Sequence, residues 1–127
     1  MLTFNLKKEW FNKIKSGEKI FEYRQQSKYW IKRLSNLFVS YKVKRYFIFS
    51  VECGQTFESK QKYLTNKGLI SFACGYPKKE DKEKFLFAKI KNIRTNINGR
   101  QTDLEIDEPV FEIEFELIKQ QCEVLDE

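Results

Sequence analysis

The chain has 127 residues, 41% hydrophobic and 33% charged, and carries a formal net charge of +6. That is the length of one domain, able to bury about two-thirds of its unfolded surface, and its 12 Phe, 6 Tyr and 2 Trp exclude a disordered chain. There is no histidine, which removes the commonest general base, the commonest metal ligand and every Ser-His or Cys-His nucleophile.

Leu2, Phe4 and Leu6 alternate with Thr3 and Asn5, the period of a strand. Lys8 to Ser16 reads as a helix, with Trp10, Phe11 and Ile14 on one face and Gly17 placed to end it in a left-handed conformation. Lys19 to Arg24 reads as a second strand. Its alternation sends Phe21 and Tyr23 to the core and Ile20, Glu22 and Arg24 to the opposite face. Ser27 is a cap for a second helix through Lys28–Leu34, with Trp30 and Leu34 as i, i+4 partners. Arg45 to Val51 contains Tyr46-Phe47-Ile48-Phe49 and reads as a strand buried on both faces.

The polar stretch from Glu52 to Gly68 carries no assignable period. Leu69 to Cys74 reads as a strand, broken by Gly75-Tyr76-Pro77, and the charged run Lys78–Lys84 as a turn or exposed loop. Phe85 to Ile93 alternates Leu86, Ala88 and Ile90 against Lys89 and Lys91. Asn98-Gly99 marks a tight turn, and Pro77 and Pro109 both fall in connections. In the last strand Phe111, Ile113, Phe115 and Leu117 face in, and Glu112, Glu114 and Glu116 face out. Strands dominate, so the expected architecture is α+β: a small, mostly antiparallel sheet, closed or nearly so, with flanking helices and no linker to divide it.

No apolar run approaches the roughly 18 residues of a membrane helix, and the opening Met1–Lys8 has too short an apolar stretch for a signal peptide. The expectation is a cytoplasmic domain without a membrane partner. Cys53, Cys74 and Cys122 are odd in number and widely spaced, so they read as buried free thiols rather than a disulfide or zinc framework. Nothing in the pattern calls for a metal or a cofactor. Charge is uneven: residues 1–50 carry net +9, residues 51–100 net +6 and residues 101–127 net −9. A basic body points to a polyanionic partner; a solvated surface is the plain alternative.

One segment stands apart, Gly17-Glu18-Lys19-Ile20-Phe21-Glu22-Tyr23-Arg24. Glu22 and Arg24 leave the same strand face, setting a carboxylate acceptor beside a planar five-donor fork. Such a pair can read a base edge or hold a phosphate. Lys19 can reach the same cleft, where burial and Arg24 would favour a general base and Glu22 would oppose it. Equally, Lys, Glu and Arg in a row make surface salt bridges of little worth.

Leu6-Lys7-Lys8-Glu9-Trp10-Phe11, Ile14 to Lys19, Glu22-Tyr23-Arg24, Trp30 and Arg33-Leu34 together resemble the opening of ASCH-domain proteins (activating signal cointegrator-1 homology), members of the PUA-like superfamily. The match to their Gly-x-Lys-x-x-Glu-x-Arg signature is complete. Phe72-Ala73-Cys74-Gly75-Tyr76, Phe85–Ile93 and Val110–Ile118 also fit the family's order, whereas residues 35–68 look divergent or inserted. The resemblance implies a small PUA-like β-barrel with flanking helices. It also implies a basic cleft lined by Lys19, Glu22 and Arg24, with Gly17 at the turn and Tyr76 in the wall as a stacking surface. It implies binding of RNA or a modified nucleotide.

Catalysis by Lys19, Glu22 and Arg24 is the alternative. The resemblance extends to small N4-acetylcytidine amidohydrolases and to a ribonuclease activity. Position 22 is Glu, however, where the amidohydrolase pattern has a hydroxyl, and a carboxylate cannot stand in for that nucleophile without a change of mechanism. A third reading is a phage or mobile-element accessory that binds a host protein, motivated by the departure at residues 35–68.

Overall fold

The computed structural model describes residues 1–118; Cys122 and the end of the acidic segment lie outside the described residues. Strand β1 (Leu2–Leu6) leads into helix α1 (Lys8–Lys15), strand β2 (Phe21–Gln25), helix α2 (Lys28–Ser35) and helix α3 (Tyr41–Cys53). Strands β3 (Glu58–Lys60), β4 (Leu69–Cys74), β5 (Phe85–Asn98) and β6 (Pro109–Leu117) follow. The sheet runs β1-β4-β5-β6-β2, with β3 on a second stretch of β5. The β1–β4 ladder is parallel and the others antiparallel. The outcome is an α+β fold on a curled, mixed half-barrel. β1 and β2 are its two ends, with no ladder between them among the described residues.

The curl originates in β5. Its register against β6 shifts between Ile90 and Asn92 and again between Arg94 and Ile97, and Asn96 sits at φ 58°. Such bulges bend and twist a strand. The second bulge is pinned by a polar knot. The Asn96 amide N–H donates to Gln26 Oε1 at 2.7 Å, Gln26 Nε2 donates to Asn96 Oδ1 at 3.0 Å, and Asn96 Nδ2 donates to the Ser50 carbonyl at 3.0 Å. Thr95 Oγ1, fully buried, meets Ser50 Oγ at 3.0 Å and accepts from Phe57 N at 2.8 Å. These bonds tie the ends of β2 and α3 to the middle of the sheet.

Two runs of rings fill the core. Trp30, Phe4, Phe72 and Phe115 follow one another at centroid distances of 5.1, 5.6 and 4.8 Å. Phe38, Phe47 and Phe111 follow at 5.0 and 5.3 Å. Offset and tilted rings at this spacing add to the burial of their area. Residues 35–68 contribute Leu37, Phe38, Phe47 and Leu64 to this core, and Leu37–Val39 hydrogen-bonds with Tyr63–Thr65. The middle segment is therefore structural.

The chain departs from the expectations in five places. Arg45–Val51 is not a strand but the body of α3, capped by Ser40, whose side chain accepts from Val43 N, and ended by Gly54 at φ 76°. Val43, Phe47 and Ser50, at i, i+4 and i+7, face the domain, while Tyr46 and Phe49 face water. Pro109 opens β6 rather than lying in a connection, a strand position where its missing N–H is tolerated. The Asn98-Gly99 signal begins a longer loop rather than a two-residue turn. Cys53 is exposed and Cys74 half-buried, because Cys53 is the last residue of α3.

The fifth departure is β2, whose faces are inverted. Glu22 lies opposite Ile113 and Arg24 opposite Phe111, both core residues, so the two charged side chains point inward. Phe21 and Tyr23 lie opposite Glu114 and Glu112 on the outer face. There Arg94 bridges Glu58 at 2.8 Å, Glu112 at 2.6 Å and Glu114 at 3.6 Å. Among the described residues no helix is long and apolar enough to cross a membrane.

Because Phe47 is fully buried between two rings and Phe49 is 61% exposed, Phe47→Ala is expected to lower unfolding stability by about 3–5 kcal/mol. Phe49→Ala is expected to change it by less than about 0.5 kcal/mol. Urea melts of the two variants check the helical assignment, since a strand buried on both faces would make both substitutions costly.

Candidate functional site

The helix-ending turn at Gly17, φ 87°, reverses the chain, and the Lys19 N–H bonds back to the Lys13 carbonyl at 3.0 Å. That turn delivers Lys19 under the start of β2. From there Lys19 Nζ lies 3.3 Å from Glu22 Oε1 and also pairs with Asp103. The second Glu22 oxygen takes Arg24 Nη1, which also donates to the Tyr23 carbonyl at 3.1 Å. Sequence and topology thus bring four charges together, two of each sign, with side chains no more than 25% exposed.

Arg24 is fixed by more than its ion pair. Its guanidinium carbon lies 5.2 Å from the Phe4 ring centre and 5.1 Å from that of Trp30, rings which themselves stack at 5.1 Å with their planes 2° apart. A weakly hydrated planar cation is favoured against such faces. Among the described residues Arg24 Nε and Nη2 have no protein hydrogen-bond partner, so they remain as donors. Lys19 Nζ is boxed differently, 5.4 Å from both the Trp10 and Tyr23 rings.

Above this cluster opens a cleft of about 490 Å³. Glu22, Arg24 and Asp103 form its charged floor; Trp10, Tyr29, Trp30 and Tyr76 are its aromatic lining; Thr3, Asn5 and Lys7 come from β1 and its exit. Tyr76, just past Gly75 (φ 70°), is 90% exposed and has no packing role. Gly17 and Lys19 do not line this cleft. They line a neighbouring hollow of about 590 Å³ with Leu86, Phe115 and Leu117. The cleft is also not basic: Lys7 and Arg24 are matched by Glu22 and Asp103. Asp103 was not legible from the sequence, because it sits 84 residues from Lys19 in the β5–β6 connection and no local pattern links them.

Burial, leaving Glu22 only 3% exposed, pushes its carboxyl above the ordinary carboxylate range; Arg24 and then Lys19 pull it down, and Asp103 adds to the rise. Burial and the Glu112 carboxylate, which accepts from the Tyr23 hydroxyl at 3.1 Å, push that phenol up to about 12. It remains a neutral donor across the ordinary pH range. Chemically, the floor offers a fixed donor fork beside a carboxylate, under aromatic faces. Lys19 Nζ is paired with two carboxylates, Glu22 and Asp103.

Comparison with protein-family models, with curated proteins and with solved structures finds no match.

With its folded value raised, Glu22 binds its proton more tightly in the native state than in the unfolded chain. Its contribution to stability is therefore largest below the ordinary carboxylate value and is lost as pH rises through the folded value. Wild type is expected to lose stability relative to Glu22→Gln as pH rises above the ordinary carboxylate value, as read by parallel urea melts. A wild type that gains on Glu22→Gln as pH rises would mean that ion pairing outweighs burial.

Proposed function

We propose that this chain is an ASCH-like, PUA-like binding module that holds RNA or a modified nucleotide through an unpaired base in the Arg24 cleft. The observation that carries the reading is Arg24 itself: a guanidinium held beside the stacked Phe4 and Trp30 rings, anchored by Glu22, with two nitrogens left to donate. A carboxylate beside those donors matches a base edge that presents both a donor and an acceptor. The size of the cleft suits a nucleotide, and Tyr29 and Tyr76 offer faces for stacking. The complete Gly17–Arg24 signature and the curled sheet with flanking helices support the same reading.

Hydrolysis has less support. Lys19 is engaged by Glu22 and Asp103, and Glu22 stands where the resembling amidohydrolases carry a hydroxyl. A protein partner has one observation in its favour, the outer face of α3, where Tyr41, Tyr46 and Phe49 are exposed.

Fluorescence anisotropy with labelled single-stranded RNA, across about 50–300 mM salt, tests the proposal. Arg24→Ala is expected to abolish saturable binding. Because that variant strands Glu22, Tyr76→Ala provides a second test at a residue without structural contacts, with an expected loss of about tenfold. Binding that survives both substitutions would assign RNA to exposed lysines, and no binding at low salt would end the reading.

A further inference from the structure

Resting on that reading of the cleft, we infer that Asp103 is a specificity-determining residue: it cancels the charge of Lys19, so that the cleft accepts a planar uncharged group and refuses a phosphate. Without Asp103 the buried cluster beneath the cleft would hold Lys19 and Arg24 against Glu22 alone and carry a net positive charge. A partly buried cluster with one cation in excess is an anion trap. With Asp103 in place the charges balance, and both cations are already met by carboxylates.

A phosphate, carrying close to two negative charges, would have to displace Asp103 from Lys19 or sit beside two carboxylates that offset Arg24 and the exposed Lys7. An uncharged base meets neither obstacle. It can take the unused Arg24 donors and the remaining lone pairs of Glu22, since a carboxylate offers about four acceptor sites. The phosphates of the same nucleotide then stay outside, toward solvent.

The loop that delivers Asp103 is built to hold it in place. Thr102 Oγ1 donates to the Gly99 carbonyl at 2.8 Å and accepts from Leu104 N at 3.2 Å, bracketing Asp103. Gly99 permits the close approach beneath, where a Cβ would lie 2.3 Å from the Glu108 carbonyl oxygen. Asp103 is thus presented by a tightly folded connection to a lysine that the Gly17 turn fixes independently.

The test compares the four ribonucleosides with their 5′-monophosphates by calorimetry on the full chain. The variants are Asp103→Asn, which keeps the side chain's shape, and the double variant Lys19→Gln with Asp103→Asn, which restores neutrality. Wild type is expected to bind its preferred nucleoside within about threefold of the monophosphate. Asp103→Asn is expected to raise the preference for the monophosphate about tenfold, and the double variant to return it to the wild-type ratio. Loss of loop order would weaken both ligands together and leave that ratio unmoved. A wild type that favours the monophosphate by more than about tenfold, or an Asp103→Asn ratio equal to wild type with nucleosides still bound, overturns the inference while leaving base binding intact. Failure of every nucleoside and monophosphate to bind removes the reading of the cleft, and this inference with it.

Discussion

A buried carboxylate governs the architecture around the cleft. Glu22 lies on the core face of β2, where an isolated charge would cost several kcal/mol, and cations that arrive from both directions along the chain offset part of that cost. Lys19 comes from the turn three residues before it and Arg24 from two residues after it. This arrangement reverses the usual alternation and sends Phe21 and Tyr23 to the outer face. It also sets the position of α2, because Arg24 lies beside the stacked pair of Trp30 from α2 and Phe4 from β1. The aromatic run from Trp30 through Phe4 and Phe72 to Phe115 then connects the charged cluster to the centre of the core.

The cleft exists because, among the described residues, the sheet does not close. β1 and β2 are the two ends of the half-barrel, and unpaired strand edges invite association unless they are covered. Here the edge is managed from within: Arg24 Nη1 takes the Tyr23 carbonyl, and Trp30 of α2 packs over the seam. The space left between the two ends becomes a cleft with a polar floor and aromatic walls. The site is thus the residue of an incomplete barrel, and its charged groups serve both to protect an edge and to present donors.

Much of this could be read from the sequence where the determinants are local. Leu2–Leu6 and the core-facing set Phe111, Ile113 and Phe115 follow a period of two, and the helix ends at Ser27 and Gly17 follow from capping and from glycine's left-handed freedom. The trio Lys19, Glu22 and Arg24 was legible as a unit because it lies within six residues. α3 was misread because four consecutive apolar residues have no period. The cap at Ser40 and the left-handed stop at Gly54 carried the information instead. The faces of β2 were misread because hydrophobicity alone assigns the core, and at this strand a paired carboxylate displaces two aromatics. Asp103 was beyond reach, since its position depends on the β5–β6 register and the folded loop from Gly99 to Glu108.

Where the positive charge lies matters as much as how much there is. Residues 1–100 hold nearly all of the chain's Lys and Arg, yet the cleft floor is balanced. Lys8, Lys28, Lys32, Lys78 and Lys79 are exposed and neighbour the cleft-lining Lys7, Tyr29 and Tyr76 in sequence. Exposed cations attract a polyanion over about a Debye length, near 10 Å at 0.1 M salt, but lose that pull as salt rises. A neutral, partly buried floor is screened far less. The two electrostatic environments therefore divide the work that the proposed function requires: the solvated lysines draw a phosphate backbone to the surface, and the compensated cluster under the aromatic walls discriminates by hydrogen bonding and shape. On this division, affinity falls with salt while the preference among bases does not.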